Sequence, residues 1–363
     1  MVSSYSRPAA VSGPPDARSA YHHVSVLLEP MIRNMKPRSS GVYADCTLGG
    51  GGHTRALLAA CAPGGRLIAL DRDAAAIQNS RPLEALSGGR LRLFHAPFSR
   101  LADCMAESGI DALDGIMADL GLSTFHLNGS GRGFSFERDE PLDMRMDERT
   151  ARTAADIIRE TGEDDLADLF RRYGEERFSG RIARRIVAER RHHPVDTSRR
   201  LAEIITSAVP GPKPGREKKG RNHTGRKKPV HPATRVFMAL RIAVNGELDQ
   251  VTRLMTDAPD LLAPGGRLCV ISFHSLEDRI IKQRMAAEEK GCTCPPRLPG
   301  CVCGKKTRLR RVFRKSIPPS PEEVAANPPS RSARMRVAER LFPDGAGETD
   351  IKAGETDIKE ECA

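Results

Sequence analysis

Gly41-Val-Tyr-Ala-Asp-Cys-Thr-Leu-Gly-Gly-Gly-Gly-His53 reads as a buried strand ending on Asp45, then four consecutive glycines, then a helical stretch from Thr54. Glycine suits such a loop because the backbone must turn at positive φ and approach a ligand with no side chain between them. A second strand, Arg66-Leu-Ile-Ala-Leu-Asp71, ends on another carboxylate. It follows the glycines by about twenty residues, the spacing at which an acid meets ribose hydroxyls in dinucleotide-binding folds. Together the two segments predict a site for an adenosine-bearing molecule, although a glycine cluster by itself also suits a ligand-free turn. NAD would want a small residue at the last fingerprint position; counted from Gly49, that place holds Thr54. S-adenosylmethionine has no pyrophosphate and carries an ammonium and a sulfonium, so Asp45 and Asp71 suit it better.

Outward from this loop, strand and helix signals alternate: strand 41–46, helix 54–61, strand 66–71, helix 73–79, strand 90–94, helix 98–107, and a strand through Gly115-Ile-Met-Ala-Asp-Leu120. That punctuation predicts an α/β fold, a parallel sheet with helices on both faces. Ligands of such sheets bind beyond the carboxyl ends of the strands, where Gly49 to His53, Asp71, Phe98 and Asp119 all fall. From 126 to 230 the pattern turns charged and helical, which predicts an inserted lobe. In its segment Ser179–Glu189, Ile182, Ile186 and Val187 recur at helical spacing, with Arg181, Arg184, Arg185, Arg190 and Arg191 around them. That basic face reads either as ordinary solvated surface or as a phosphate-binding surface. Residues 210–230 are too rich in Pro, Gly and basic groups to pack, and mobility is expected there. The sheet resumes with a helix over 234–256 and a strand from Arg267, and Ser332–Arg340 supplies a final edge strand. The expected organisation is a disordered 1–22, a sheet domain from 23–125 and 231–340, the helical lobe 126–230, and a disordered tail 341–363 that repeats Ala-Gly-Glu-Thr-Asp-Ile-Lys.

The 363 residues carry 58 Lys and Arg against 47 Asp and Glu, a net charge of +11, which favours a polyanionic partner such as nucleic acid. No run of apolar residues reaches membrane-spanning length, so a soluble, cytoplasmic protein without a membrane partner is expected. Nine cysteines scattered over so long a chain predict reduced thiols. Cys292, Cys294, Cys301 and Cys303 flank a Pro-Gly-rich turn, where they read either as zinc ligands or as plain surface thiols; Cys-x-Cys pairs are less usual in zinc sites than Cys-x-x-Cys. No residue is assigned to a catalytic metal.

Seven ordered segments carry a family resemblance: Asp45-Cys-Thr-Leu-Gly-Gly-Gly-Gly-His53, Asp119-Leu-Gly-Leu-Ser123, Arg132-Gly-Phe-Ser-Phe136, Pro141-Leu-Asp-Met-Arg-Met-Asp147, Tyr173-Gly-Glu-Glu-Arg-Phe178, His231-Pro-Ala-Thr-Arg235 and Ile271-Ser-Phe-His-Ser-Leu-Glu-Asp-Arg279. From about His23 to Arg340 the chain resembles the bacterial 16S rRNA cytosine-N4 methyltransferases of the RsmH (MraW) type. The resemblance implies a Rossmann-like S-adenosylmethionine-dependent methyltransferase sheet with an inserted helical domain. Its implied substrate is a cytidine of the decoding centre in 16S rRNA of the small ribosomal subunit. It also implies cofactor contacts from Gly51, Gly52, His53, Asp71 on the ribose, Phe98 beside the adenine, and Asp119. His126 stands where the family has Gln, after Phe125 where the family has Pro, and a cofactor contact carries over to it.

A cytosine amine is a poor nucleophile because its lone pair is delocalised into the ring, so acceptors must hold it in line with the methyl donor. Asp119 is the candidate catalytic residue, accepting a hydrogen bond from the amine. Phe134 and Phe136 suit either a platform for an extruded base or anchors for their loop. An NAD-dependent oxidoreductase, a noncatalytic RNA-binding protein and a DNA amino-methyltransferase remain as alternatives from the residues, and a homodimer is among the open oligomeric states.

Overall fold

A computed structural model describes residues 25–128, 130–210, 231–290, 292, 294–295, 300 and 302–342. The expectations for 1–22, for all of 211–230, for Cys301 and for the duplicated tail lie outside the described residues. The first half of the chain gives α1 (Leu28–Met35), β1 (Val42–Asp45), α2 (Gly52–Ala60), β2 (Arg66–Asp71), α3 (Ala74–Leu86), β3 (Leu91–His95), α4 (Leu101–Glu107), β4 (Leu113–Asp119) and α5 (Thr124–Asn128). The helical stretch follows as α6 (Ala154–Glu160), α7 (Glu163–Gly174), α8 (Ser179–Glu189), α9 (Ser198–Ala208), α10 (Ala233–Asn245) and α11 (Glu247–Leu261). The remainder comprises β5 (Leu262–Ser272), α12 (Ser275–Lys290), β6 (Leu309–Arg311), α13 (Pro321–Ala326) and β7 (Arg334–Arg340).

The strands form one sheet in the order β3-β2-β1-β4-β5-β7-β6, parallel from β3 to β5 and antiparallel at β7 and β6. Alternate residues of each strand face opposite sides. Ala44, Ile68, Leu70, Ile116, Ala118, Leu268 and Val270 therefore pack under α4, α11 and α12. Tyr43, Leu67, Ala69, Met117, Cys269 and Ile271 pack under α1, α2 and α3. Strands covered on both faces read as continuous apolar runs, which is why β2 and β4 stand out in the sequence. Because β2 and β4 lie on opposite sides of β1, the chain reverses its winding there, opening a crevice beyond the carboxyl ends of β1 and β4.

Two expectations change. Ser332–Arg340 does not supply the edge: β7 lies between β5 and β6, and the outer strand is the three-residue Leu309-Arg-Arg311, too short to leave a strand pattern. The helix expected over 234–256 is two helices, broken at Gly246, whose φ of 57° no helix interior adopts. The break sends α10 into the helical lobe, where Val236, Phe237 and Leu240 share a core with Phe170, Ile182, Ile186 and Ile205. Phe134 is buried in that core, and Phe136 stacks on His231 at 4.5 Å and meets Phe237 edge-on at 5.2 Å, so both aromatics serve as loop anchors.

Phe170 is wholly buried at the centre of the lobe core. Phe170→Ala should lower stability by about 3–5 kcal/mol, read from the urea midpoint at constant m; a loss below about 1 kcal/mol would mean that the lobe is loosely packed.

Candidate cofactor and active site

The glycine loop is held in place by the carboxylates that end the strands. Asp71 accepts the Gly49 N–H at 2.8 Å through one oxygen and the Asp73 N–H at 2.8 Å through the other. Each oxygen keeps a second lone pair, so ribose hydroxyls remain acceptable partners. Asp45 is buried beneath the loop, where it accepts the Thr54 hydroxyl at 2.6 Å and the Thr47 N–H at 3.0 Å; burial pushes its carboxyl up to about 6. Asp45 is thus a structural brace and does not line the crevice.

Asp119, at the end of β4, is different. Its N–H donates to Thr47 Oγ1 at 2.6 Å, but its buried Oδ1 has no hydrogen-bond partner among the described residues. Its Oδ2 lies 3.7 Å from His53 Nδ1, too far for a hydrogen bond. Burial, reinforced by the charges of Asp45, Glu277 and Glu323, pushes the Asp119 carboxyl well above the usual range. Burial also pulls His53 down to about 4, so the imidazole is neutral at physiological pH, with Nε2 donating to the Val26 carbonyl at 3.0 Å. Neither group supplies a cation to the other.

The remaining acids of the crevice are compensated within the protein. Arg241 makes two hydrogen bonds to Glu247, at 2.8 and 2.7 Å. Glu277 accepts the Phe273 N–H at 2.9 Å, and although burial pushes its carboxyl up, His274 and Arg241 outweigh that and hold it low. Glu247, His274 and Glu277 converge as a metal site would, and within that cluster Arg241 pairs with Glu247 at 2.7 Å while His274 and Arg241 hold Glu277 low.

Of the residues expected from sequence, Gly52, His53, Asp71, Phe98, Asp119 and His126 line one cleft. Gly51 does not; its φ of 75° turns the loop into α2, and a Cβ there would meet Ser80 Oγ at 3.2 Å. His126 reaches the cleft with both ring nitrogens engaged, Nε2 on Asp73 Oδ2 at 2.8 Å and Nδ1 on Ser123 Oγ at 3.0 Å, so only its ring is left for a ligand. Arg132 also meets Asp73 Oδ2, at 2.9 Å, and donates to the carbonyls of Arg145 and Met146.

Sequence reasoning missed Asn245. Its side chain donates to the Met144 carbonyl and accepts the Met146 N–H, both at 2.8 Å, while its own carbonyl accepts from Arg72. It ties the Pro141–Asp147 loop to the cleft wall. The available signal was the Asn245-Gly246 pair, a turn dipeptide inside an otherwise helical run.

Burial pushes the Asp73 carboxyl up, but the hydrogen bond and charge of His126, then those of Arg132, outweigh it and hold the group at about 2 against an ordinary 3.8. A carboxyl held below its unfolded value stabilises the fold above that value and loses the contribution as pH falls towards the folded one. Asp73→Asn keeps a competent cap on α3 and should flatten the loss of stability over that acid window, measured by urea denaturation at stepped pH. An unchanged slope would remove the Asp73–His126–Arg132 network as its source.

Residues 20–341 match the family model described as the MraW methylase family. Proteins named ribosomal RNA small subunit methyltransferase H align over nearly their whole length. That of Desulfosudis oleivorans is 46% identical over 322 residues, covering 89% of this chain and 100% of the relative. That of Desulforapulum autotrophicum is 47% identical over 321 residues, covering 88% and 99%. That of Brevibacillus brevis is 44% identical over 322 residues, covering 89% and 99%. A solved structure titled putative rRNA-methylase from Clostridium thermocellum overlies 88% of this chain and 99% of its own at 11% identity and a TM-score of 0.39, too distant a likeness to add to the strand order above. With a doubly wound sheet, an acid-ended cleft at its switch point and a match along almost the whole described chain, the protein belongs to the MraW methylase family and is a methyltransferase.

Proposed function

We propose that this methyltransferase uses S-adenosylmethionine to methylate the N4 amine of a cytidine in the decoding centre of 16S rRNA, acting on the small ribosomal subunit in the cytoplasm. Relatives 44–47% identical that share the name ribosomal RNA small subunit methyltransferase H support the substrate class. Among the described residues no helix is long and apolar enough to cross a membrane.

The observation that carries the reading is Asp119 Oδ1, a buried acceptor with no partner among the described residues, at the carboxyl end of β4 and on the wall of the cleft. Leaving such a group unsatisfied costs roughly 1–3 kcal/mol, a cost that a ligand's cation or N–H group removes. Bound S-adenosylmethionine would supply an electrophilic methyl group on a sulfonium; Asp71 would hold its ribose and Phe98 would cover its adenine. His53 walls the cleft as a neutral ring, adding no positive charge to repel that ligand.

Asp119 then accepts a hydrogen bond from the target amine and fixes its nitrogen in line with the donor. Holding reactants in line contributes on the order of 7–11 kcal/mol to lowering a barrier, whereas a proton acceptor typically contributes about 10²–10⁴-fold, so orientation dominates. The base reaches the cleft only when extruded from its stack, at a cost of a few kcal/mol.

Tritiated-methyl transfer to small subunits lacking the modification, followed by nucleoside analysis, tests the reading; label on a base other than cytidine, or none, overturns it. Asp119→Ala should lower turnover by on the order of 10²-fold or more, while Asp119→Asn, which keeps an acceptor, should retain more activity. Equal turnover in wild type and both variants would remove Asp119 from the reaction.

A pH dependence follows with a definite sign. The empty cleft favours protonated Asp119, and a bound cation favours the ionised form, so binding S-adenosylmethionine releases a proton and tightens as pH rises. S-adenosylhomocysteine, without the sulfonium charge, should tighten less. Calorimetric titration of both ligands across pH checks this, and parallel profiles for the two would contradict it.

A further inference from the structure

The segment joining α12 to β6 carries a cluster that the methyl-transfer chemistry does not use. Cys292, Cys294 and Cys303 bring their sulfurs within 4.8 Å of one another, and none of the three lines the cleft. Cys292 Sγ and Cys303 Sγ are 3.7 Å apart. That is far beyond a disulfide bond of about 2.05 Å. It is close to the edge of a tetrahedron built on zinc–sulfur bonds of about 2.3 Å, which is about 3.8 Å. The backbone closes on the same sulfurs: the Cys294 N–H donates to Cys292 Sγ and the Val302 N–H to Cys294 Sγ, both at 3.4 Å.

The surroundings call for a cross-link. Val302 is 78% exposed, and no described residue from 292 to 308 belongs to any of the three hydrophobic clusters. Where the segment meets β6, Arg308 pairs with Glu288 at 2.7 Å and with Asp260 at 2.8 Å. A cysteine-bearing segment outside the apolar clusters is held in one conformation most simply by a metal, whose binding free energy becomes folding free energy. Thiolates in tetrahedral array select zinc over hard cations.

We propose that Cys292, Cys294 and Cys303 hold one structural zinc ion that fixes the hairpin between α12 and β6. Cys301 lies outside the described residues and no position is assigned to it.

The test uses the full chain, expressed with zinc in the medium and purified without chelator. Elemental analysis should find about one zinc per chain, and less than a tenth of that in the Cys292→Ser/Cys303→Ser variant. That variant should keep wild-type affinity for S-adenosylhomocysteine, since neither position touches the cleft. As a readout independent of the variant's folding, cobalt titrated into metal-stripped wild-type protein should develop the near-ultraviolet charge-transfer bands and strong visible bands of tetrahedral thiolate coordination. Wild-type protein without zinc and without those cobalt bands overturns the proposal. So do iron in place of zinc, a Cys292–Cys303 disulfide in freshly purified protein, or full zinc occupancy in a double variant that still binds S-adenosylhomocysteine.

Discussion

A carboxyl group buried with one oxygen unpartnered raises the free energy of the protein, and among the described residues Asp119 is in that position at the end of β4. Much of the architecture around it serves to place that acid. The switch of winding between β1 and β4 opens the space, Thr47 fixes the Asp119 backbone, and Asp45 and Asp71 hold the glycine loop at its rim. Glu247 and Glu277 stand in the same cleft, where Arg241 pairs with Glu247 and His274 and Arg241 together hold Glu277 low. The protein therefore compensates these acids from within and leaves Asp119 Oδ1 without a hydrogen-bond partner among the described residues. A site built this way binds a cation or an amine for a physical reason, since either one relieves a desolvation cost already present in the fold.

The helical lobe is joined to that cleft by polar contacts as well as packing. Asp73 caps α3 through the Ala75 N–H and on its other oxygen receives His126 and Arg132, while Asn245 gathers the Met144–Met146 backbone. Buried networks of this kind are stable only when every member is satisfied, so shifting the Arg132–Phe136 loop disturbs the cleft wall as well. Phe134 is committed to the lobe core and Phe136 to His231 and Phe237, while Leu122, Leu127 and Phe273 supply apolar surface on the cleft's own wall.

The parts legible in the sequence were those with local signatures. The β1–glycine–α2 turn, the acid ending β2 and the alternation through β4 follow from periodicity and from residue types that tolerate one backbone conformation, and the sheet has those elements within a few residues of expectation. The cleft lining was legible to the same degree, because strand ends are local features: Gly52, His53, Asp71, Phe98 and Asp119 meet there. What escaped depends on distant pairing. Leu309–Arg311 becomes a strand only because β7 offers an open side, and α10 joins the lobe only because Gly246 turns the chain. His126 lines the cleft as expected, but the engagement of its nitrogens by Asp73 and Ser123 escaped, because nothing in the local sequence signals a partner 53 residues earlier.

The same distinction between local and tertiary applies to the basic face of α8. Arg190 donates to the Thr161 carbonyl at 2.7 Å and is committed to closing the end of α6. Arg184 and Arg185 pair with Glu163 and Glu189, at 3.2 and 2.9 Å, on the exposed side. Exposed pairs contribute only about 0–1 kcal/mol, so a phosphate can displace the carboxylate at little cost. Arg177, Arg181, Arg191 and Arg199 are exposed and make no ion pair with another described residue. The lobe thus presents a rim of displaceable or unengaged guanidinium groups, while its interior arginine is spent on the fold. Phosphate contacts position an RNA without reading its sequence, so on the function proposed above the choice of base falls to the cleft and to the acceptor on Asp119 rather than to this rim.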